Sequence, residues 1–242
     1  MKFSKKIFVS TAILLSFSFA FAQNNSEISA EEDYLTDLDG EIISTLADSD
    51  EYDNKLVALQ YLEAALEDGN TSDSVIRAMD KLAGEGLTSQ TRTKGRLSNN
   101  FPEIRREACL LMAKVPTEHT KNTLTYIAVN DAEPMVIAAA VKSLGEIGIN
   151  NNDETVDAIV YANKRNRALN PTSSLAFEVL NAFELLADST ENKKSMIDEI
   201  SYIATNFKYN TAVRQKAQKL LKTLSPSASS SDSKKKNNSE GK

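Results

Sequence analysis

The sequence predicts an all-α protein, specifically an α-solenoid in which antiparallel helix pairs stack on one another. The main observation is a set of apolar positions with the helical offsets 0, +4, +8 and +11 that recurs four times. The sets begin at residues 104, 136, 175 and 213, which are 32, 39 and 38 residues apart. A helical pattern that recurs at such intervals is typical of solenoids, which present long binding surfaces. All sixteen positions are apolar although only 41% of the chain is: Ile104, Ala108, Met112, Val115, Val136, Ala140, Leu144, Ile147, Leu175, Val179, Phe183, Leu186, Val213, Ala217, Leu221 and Leu224.

Residues 1–22 have the features of a signal peptide. Three lysines among the first six residues precede an apolar run from Ile7 to Ala22. Ala20 and Ala22 are small and stand three and one positions before Gln23, an arrangement that signal peptidase cleaves. A membrane anchor is the alternative, but the run is shorter than the roughly 20 apolar residues that span a bilayer. We therefore expect cleavage between Ala22 and Gln23, a flexible mature N-terminus over 23–30, no membrane span afterwards, and export, with a bacterial periplasm favoured over secretion.

Charge is distributed unevenly along the chain. The full sequence has 34 acidic and 28 basic residues. Residues 23–70 hold fourteen of the acids and one base, Lys55, whereas residues 71–242 are slightly basic. Net acidity and export both argue against nucleic acid as a partner. The acidic region is interpreted as a solvated helical cap, and an acidic arm that binds a basic partner is the alternative.

The solenoid is predicted to span 31–224 and to begin with three helices, over 31–47, 54–67 and 73–84. Apolar residues recur in these helices at helical spacing, although they do not follow the four-fold pattern strictly. Terminal repeats commonly diverge in this way because one of their faces meets water instead of a neighbour.

A segment rich in Gly, Thr and Ser, 85–100, interrupts the helices. Such a composition cannot sustain a packed helix, and the segment carries the cations Arg92, Lys94 and Arg96. Long non-helical segments inside compact domains are commonly either functional or disordered, and both interpretations remain open here.

Regular units follow, in which a patterned helix alternates with an outer helix. Pro102 and Pro134 stand at the start of two patterned helices, where a missing N–H costs nothing. After Leu224 the chain becomes rich in Ser, Lys and Asn, so 225–242 is predicted to be a disordered tail. The predicted helices are 102–115, 117–129, 134–147, 153–168, 172–187, 193–206 and 211–224.

Reactive side chains are scarce. Cys109 is the single cysteine and follows a patterned alanine, so we expect a small buried thiol. His119 is the single histidine and stands at a helix start, where a surface position is expected. No cluster of metal ligands, glycine-rich phosphate loop or calcium loop is recognisable, so we expect no metal, no cofactor and no enzymatic activity.

The patterned helices resemble the second helices of HEAT repeats. Residues 102–109, Pro-Glu-Ile-Arg-Arg-Glu-Ala-Cys, look like the start of such a helix. Residues 133–148 are similar to the short HEAT-like repeat that also occurs in phycobilisome-lyase-type proteins, and 213–221 give a third match. The resemblance covers 100–224 well and 31–84 loosely, and it would make the chain an exported bacterial member of the family.

The resemblance implies where a partner binds and how the units are joined. In the family the second helices line a concave surface, which here means 102–115, 134–147, 172–187 and 211–224. An Arg after the first apolar residue often pairs with an Asp in the preceding turn, as a ladder between repeats. Arg105 and Arg214 keep this arginine, whereas Ile137 and Ala176 replace it. Stacking of apolar residues is therefore expected to join the middle units, with Phe177, Phe183 and Leu185 as its bulk.

Two functions are compatible with these observations. The favoured one is a non-enzymatic scaffold or adaptor that holds a protein partner along the concave face. The alternative is a binder of an anionic envelope ligand, such as a lipid head group or a polymer, because arginine forks suit phosphate and carboxylate. Its site would be the basic cluster Arg92, Lys94, Arg96, Arg105 and Arg106. An enzymatic or chaperone-like role, implied by the HEAT-like relatives alone, is a weaker third alternative.

Overall fold

The computed structural model of the protein describes residues 30–224, and their side chains from Leu38 onward. The predicted signal peptide 1–22, its predicted cleavage site at Ala22 and Gln23, all but the last residue of the segment 23–30 that was predicted to be flexible, and the predicted tail 225–242 lie outside the described residues. The elements in order are α1 (Ala30–Asp48), α2 (Tyr52–Glu67), α3 (Asp73–Ala83), β1 (Arg92–Thr93), β2 (Arg96–Leu97), α4 (Pro102–Met112), α5 (Glu118–Asn130), α6 (Pro134–Ile147), a 3-10 turn (Asn151–Asp153), α7 (Glu154–Leu169), α8 (Ser173–Leu186), α9 (Lys194–Thr205) and α10 (Thr211–Leu224).

The all-α prediction is confirmed for the described part of the chain. Most helices begin and end within two residues of the predicted positions. The exception is α4, which ends at Met112 and not at 115. The N–H groups of Lys114 and Val115 bond three residues back instead of four, and Pro116 cannot continue a helix. The last apolar position of the first set therefore lies in a turn.

Local sequence explains where several helices begin and end. Proline is at the first helical position of α4 and α6, as expected. Thr117 caps α5 because its hydroxyl accepts a hydrogen bond from the Thr120 N–H at 3.2 Å. Gly148 ends α6 in a left-handed conformation, with φ 72°, that glycine adopts without strain.

The apolar pattern marks the core accurately. Fourteen of the sixteen patterned side chains are buried, while Leu221 and Leu224 are only partly buried. Both exceptions are in α10, which contacts α8 and α9 and is the last helix described. The pattern therefore continues to the end of the array, where the covering neighbour is missing from the described residues.

Helices pack against their neighbours in sequence. Five successive pairs are in contact, namely α1 with α2, α3 with α4, α5 with α6, α7 with α8, and α9 with α10. Each pair also contacts the next, because α2, α4, α6, α8 and α10 form one continuous row. The outer partner of α4 is thus α3, which precedes the segment 85–100 in the chain.

The segment 85–100 is an ordered connection that contains a short antiparallel hairpin, β1–β2. Buried side chains hold its two ends. The Lys55 ammonium contacts the Glu85 carboxylate at 2.7 Å, and Asn99 donates to the same carboxylate at 2.7 Å. Gly86 is required beside them, because a Cβ there would lie 2.4 Å from the Asn99 carbonyl oxygen.

Polar contacts also join the middle of the array, in addition to the apolar stacking that was expected. Arg165 on α7 donates to the carbonyl oxygen of Val129 at 2.6 Å and to that of Asp131 at 2.9 Å. The Asp153 carboxylate accepts from the backbone N–H groups of Glu191 and Asn192 at 2.8 and 2.7 Å. Links other than Asp–Arg pairs therefore connect these units.

Candidate functional site

The structure separates the five cations of the predicted basic cluster. Arg92, Lys94 and Arg96 are exposed on the β1–β2 hairpin. Arg92 is opposite Leu97 and Arg96 is opposite Thr93. Since paired residues share a face and adjacent pairs alternate, Arg92 and Arg96 project from opposite faces of the hairpin. Arg92 and Arg96 therefore do not converge on one ligand.

Arg105 was wrongly assigned to that cluster, because it is buried and its hydrogen-bonding groups are occupied. It is 4% exposed, and its Nε and Nη2 donate to the Asp131 carboxylate at 2.7 and 3.2 Å. Its Nη1 donates to the Glu85 carbonyl oxygen and to the Asn100 side chain. Arg105 therefore joins α4 to the turn before α6 and to the segment 85–100, and it is not available to a ligand.

Arg106 lies on a different side of α4 from Arg105 and borders a groove. Consecutive helical residues are about 100° apart, so adjacent arginines face different surroundings. Arg106 contacts Glu107 and is partly exposed. The inner groove, as we name it, has a volume of about 530 Å³ and is lined by residues of α4, α6 and α8 and by the start of α10, including Leu110, Met135, Ala138, Ala139, Phe177 and Val213.

Small residues on α6 make this groove possible. Ala138 and Ala139 form its floor and are too short to fill the space between Leu110 and Phe177. Further along the same two helices, α6 and α8 approach closely, since a Cβ on Gly145 would lie 2.7 Å from the Ala182 Cα. The result is a concave apolar strip across neighbouring helices of one row.

Charges of both signs border the strip. Lys142 and Glu178 line the groove itself. Lys142 is 3.7 Å from Glu146, and Lys216 is 2.6 Å from Glu184. Lys216 also lies 5.5 Å from the Phe177 ring centroid. The groove thus combines an apolar centre with a rim of mixed charge, which is the usual anatomy of a protein-binding surface.

Phe177 and Leu185 do not have the role expected from the sequence. Both were expected to add bulk between stacked units, but they are 40% and 59% exposed, while Phe183 is buried as expected. Helical geometry explains the exposure of Phe177: it is two residues from Leu175, so its side chain points away from the buried stripe of α8. Together with Met135, which is 39% exposed, Phe177 places apolar surface in the groove.

The reactive side chains do not form a catalytic pair. Cys109 is fully buried, and burial raises the pKa of its thiol well above the ordinary value. His119 is exposed, and its Nε2 lies 2.6 Å from the Asp80 carboxylate on α3. The histidine therefore joins α5 to α3, and the cysteine belongs to the core of α4.

Two further features by which proteins are often classified are missing from the described residues. None of their helices is long and apolar enough to cross a bilayer. In the same part of the chain, no three His, Cys, Asp or Glu side chains are arranged to hold a metal ion.

In comparisons with known proteins, no protein-family model, no curated protein and no solved structure matches this chain.

Proposed function

We propose that the protein is an exported, bacterial α-solenoid of five HEAT-like helix pairs that acts as a scaffold for a protein partner. The order of contacts supports the solenoid, because each helix pair packs on the next and one row runs from α2 to α10. The leader-like sequence at the N-terminus supports export, with the periplasm as the compartment. The HEAT assignment itself depends on the sequence motifs at 102–109, 133–148 and 213–221.

The observation that carries the binding function is the inner groove. It lies on the row of helices that the HEAT resemblance assigns to the concave surface. Its apolar strip is flanked by charged groups, and Met135 and Phe177 are exposed within it. Apolar side chains that are exposed together in a concave site are typical of a surface that binds a partner. The partner we propose is a protein segment that places an apolar side chain beside Phe177, without any chemical reaction.

The anionic-ligand alternative receives less support from the geometry. Arg105 is occupied by Asp131, and Arg92 and Arg96 project from opposite faces of the hairpin. Arg106 borders the inner groove instead of joining the hairpin. A phosphate or carboxylate is bound best by several donors that converge on it, and this arrangement does not provide them.

Site-specific photocrosslinking in the native cell tests the proposal. A photoreactive phenylalanine analogue at Phe177 should give a discrete adduct with one protein, and the same residue at Tyr161 should not. Tyr161 is a matched control because it is aromatic and 55% exposed but lies on α7, which contributes no residue to the groove. With the analogue kept at position 177, Met135→Glu should abolish the adduct because it adds a charge to the apolar strip.

The same experiment distinguishes the two functions. In the scaffold proposal, replacing Arg92, Lys94 and Arg96 together with Ala leaves the adduct at position 177 unchanged. Equal adducts at positions 177 and 161, or loss of the adduct only in the triple alanine variant, would contradict partner binding in the groove. Loss of the adduct only in the triple alanine variant would instead assign binding to the β1–β2 hairpin.

A further inference from the structure

The first and last helix pairs carry opposite charge. Residues 38–67, which cover most of α1 and all of α2, contain eight acids and one lysine, and that lysine is the buried Lys55. Residues 206–224, which include α10, contain five bases and no acid. The two ends are therefore complementary to each other, and oppositely charged surfaces attract and orient one another.

Apolar side chains are exposed at both ends as well. Leu38 and Ile42 on α1, and Val57 and Tyr61 on α2, are exposed. Members of each pair are four residues apart, so they lie together on one side of their helix. At the other end, Leu221 is partly buried and Phe207 is 85% exposed. In the middle of the array, by contrast, each helix pair packs against a neighbouring pair on both sides.

Arg214 at the last pair is the counterpart of Arg105. Both follow the first apolar residue of a patterned helix, at Val213 and Ile104. Arg105 reaches forward to Asp131, in the turn before the next helix of its row. Arg214 also faces away from the preceding unit, because Lys216, 200° further around α10, contacts Glu184 on α8.

Within the described residues, the Arg214 side chain has no carboxylate. Its Nε is buried without a hydrogen-bond partner, and its Nη2 makes a long bond of 3.3 Å to the Thr211 hydroxyl. The Phe207 ring covers the guanidinium at 4.7 Å. Since that ring is itself largely exposed, moving it aside costs little buried area. A buried guanidinium nitrogen without an acceptor is unfavourable, so this end is suited to receive a carboxylate.

We propose that the protein associates head to tail with further copies of itself, the α9–α10 end of one copy packing on the α1–α2 end of the next. Arg214 then pairs with Asp50 or Glu51 in the turn before α2. These two exposed acids precede α2 much as Asp131 precedes α6. Phe207 and Leu221 cover the apolar side chains of α1 and α2. Because the two surfaces differ, association continues into chains unless the rotation closes a ring.

Sedimentation velocity tests this inference on the untruncated protein purified from the cell, after any removal of the predicted leader. The average mass should rise with protein concentration, and less steeply when NaCl is raised from about 50 mM to about 500 mM. Arg214→Glu should raise the dissociation constant about tenfold or more, because it places like charges together. Asp50→Lys with Glu51→Lys should have a similar effect from the other end, at an exposed turn where misfolding is not expected.

Combining both sets of changes in one chain should restore association, since the charge pair is then reversed instead of broken. Lys219→Glu is the matched control: it makes the same change of charge on α10, at an exposed position on a different side from Arg214, and should leave the mass distribution close to that of the unmodified protein. Thermal melting of each variant separates lost association from lost folding.

Several results would overturn the proposal. A protein that stays monomeric at every concentration, or an assembly that neither charge reversal weakens, excludes the head-to-tail contact. Association that appears only after residues 225–242 are removed assigns the end surface to that segment and not to a second copy. None of these outcomes affects the inner groove, which lies on other surfaces of the helices.

Discussion

The segment between α3 and α4 and the junction between α6 and α8 are held together in different ways. In the first, buried charges connect elements that are distant in sequence, through Lys55 with Glu85 and Arg105 with Asp131. In the second, apolar helices pack so closely that Gly145 faces the backbone of Ala182. A row of packed helices can thus be interrupted by a polar insertion without losing its continuity.

The difference follows from what each region must accommodate. The segment 85–100 brings backbone N–H and C=O groups into the interior, and these need partners. Polar side chains satisfy them, since Arg105 donates to the Glu85 carbonyl oxygen and Asn99 to that of Ser89. Between α6 and α8 the backbone groups are satisfied within the helices. Small side chains of α6, Ala138 and Ala139, line the inner groove.

The largest expected effect comes from placing a charge in the apolar region. Ala140 is fully buried on α6, so Ala140→Asp should lower the free energy of unfolding by about 4–5 kcal/mol, since the carboxylate has no cation beside it. Urea denaturation measures this. The control is Ala212→Asp, the same change at an exposed position of α10. An unchanged unfolding midpoint for Ala140→Asp would contradict the packing of α6.

Breaking a buried ion pair should have the next largest effect. Lys55→Met leaves the Glu85 carboxylate buried without its cation and should cost about 3–4 kcal/mol. Adding Glu85→Gln should recover most of the loss, because the charge is removed while Asn99 keeps an acceptor. Lys142→Met breaks an exposed pair and should cost under about 1 kcal/mol. If the double variant is no more stable than Lys55→Met, the unpaired charge of Glu85 does not account for the loss of stability.

A methyl group at Gly145 tests the closeness of the α6–α8 junction. In an open helix position, Gly→Ala stabilises by about 0.5–1 kcal/mol. Here the new Cβ would meet Ala182 backbone, so Gly145→Ala should instead destabilise by about 1–3 kcal/mol. The comparison variant is Gly40→Ala, whose Cβ would meet the side chain of Ser74 instead of helix backbone. The Ser74 hydroxyl can rotate away, but its Cβ, 2.9 Å from the new methyl group, must shift, so a destabilisation smaller than that of Gly145→Ala is expected. A stabilising Gly145→Ala would show that the helices are further apart than described.

Regular features of the array were predictable from the sequence because they depend on residues close together in the chain. Helical spacing identified fourteen buried positions, and proline and glycine marked helix ends. The Lys55–Glu85 pair was not predictable, since its members are 30 residues apart and meet only through tertiary structure. The β1–β2 hairpin was also missed, because strands of two residues are too short to show an alternating pattern.

The candidate site was predictable in part. The row of helices that lines the inner groove had been proposed as the concave surface. The basic cluster is a prediction from adjacency in sequence, and the structure separates two of its members: Arg105 and Arg106 are neighbours in the chain but have separate environments. Partners of a buried charge come from other elements, so sequence alone does not distinguish a structural arginine from a free one.

The smallest change in stability is expected from replacing Asp153, which joins the start of α7 to the segment before α9. Hydrogen bonds from the N–H groups of Asn192 and Glu191 hold the pKa of its carboxyl below the ordinary value of 3.8. Because folding lowers this pKa, the ionised carboxylate stabilises the folded protein at pH values above 3.8. That stabilisation is lost as the pH falls from 3.8 towards the pKa of the folded protein. Asp153→Asn removes this dependence, and asparagine tolerates the left-handed backbone there, with φ 63°.

Thermal unfolding measured from about pH 6 to about pH 3 tests this sign. The unmodified protein should lose more of its melting temperature over that range than Asp153→Asn, which should be less stable at the upper end. Asp157→Asn is the control, since that carboxylate is also in the first turn of α7 but exposed. If all three proteins respond alike to acid, the bonds from Glu191 and Asn192 do not favour the ionised form. The junction would then resemble the apolar α6–α8 contact more than the charged contacts around Glu85.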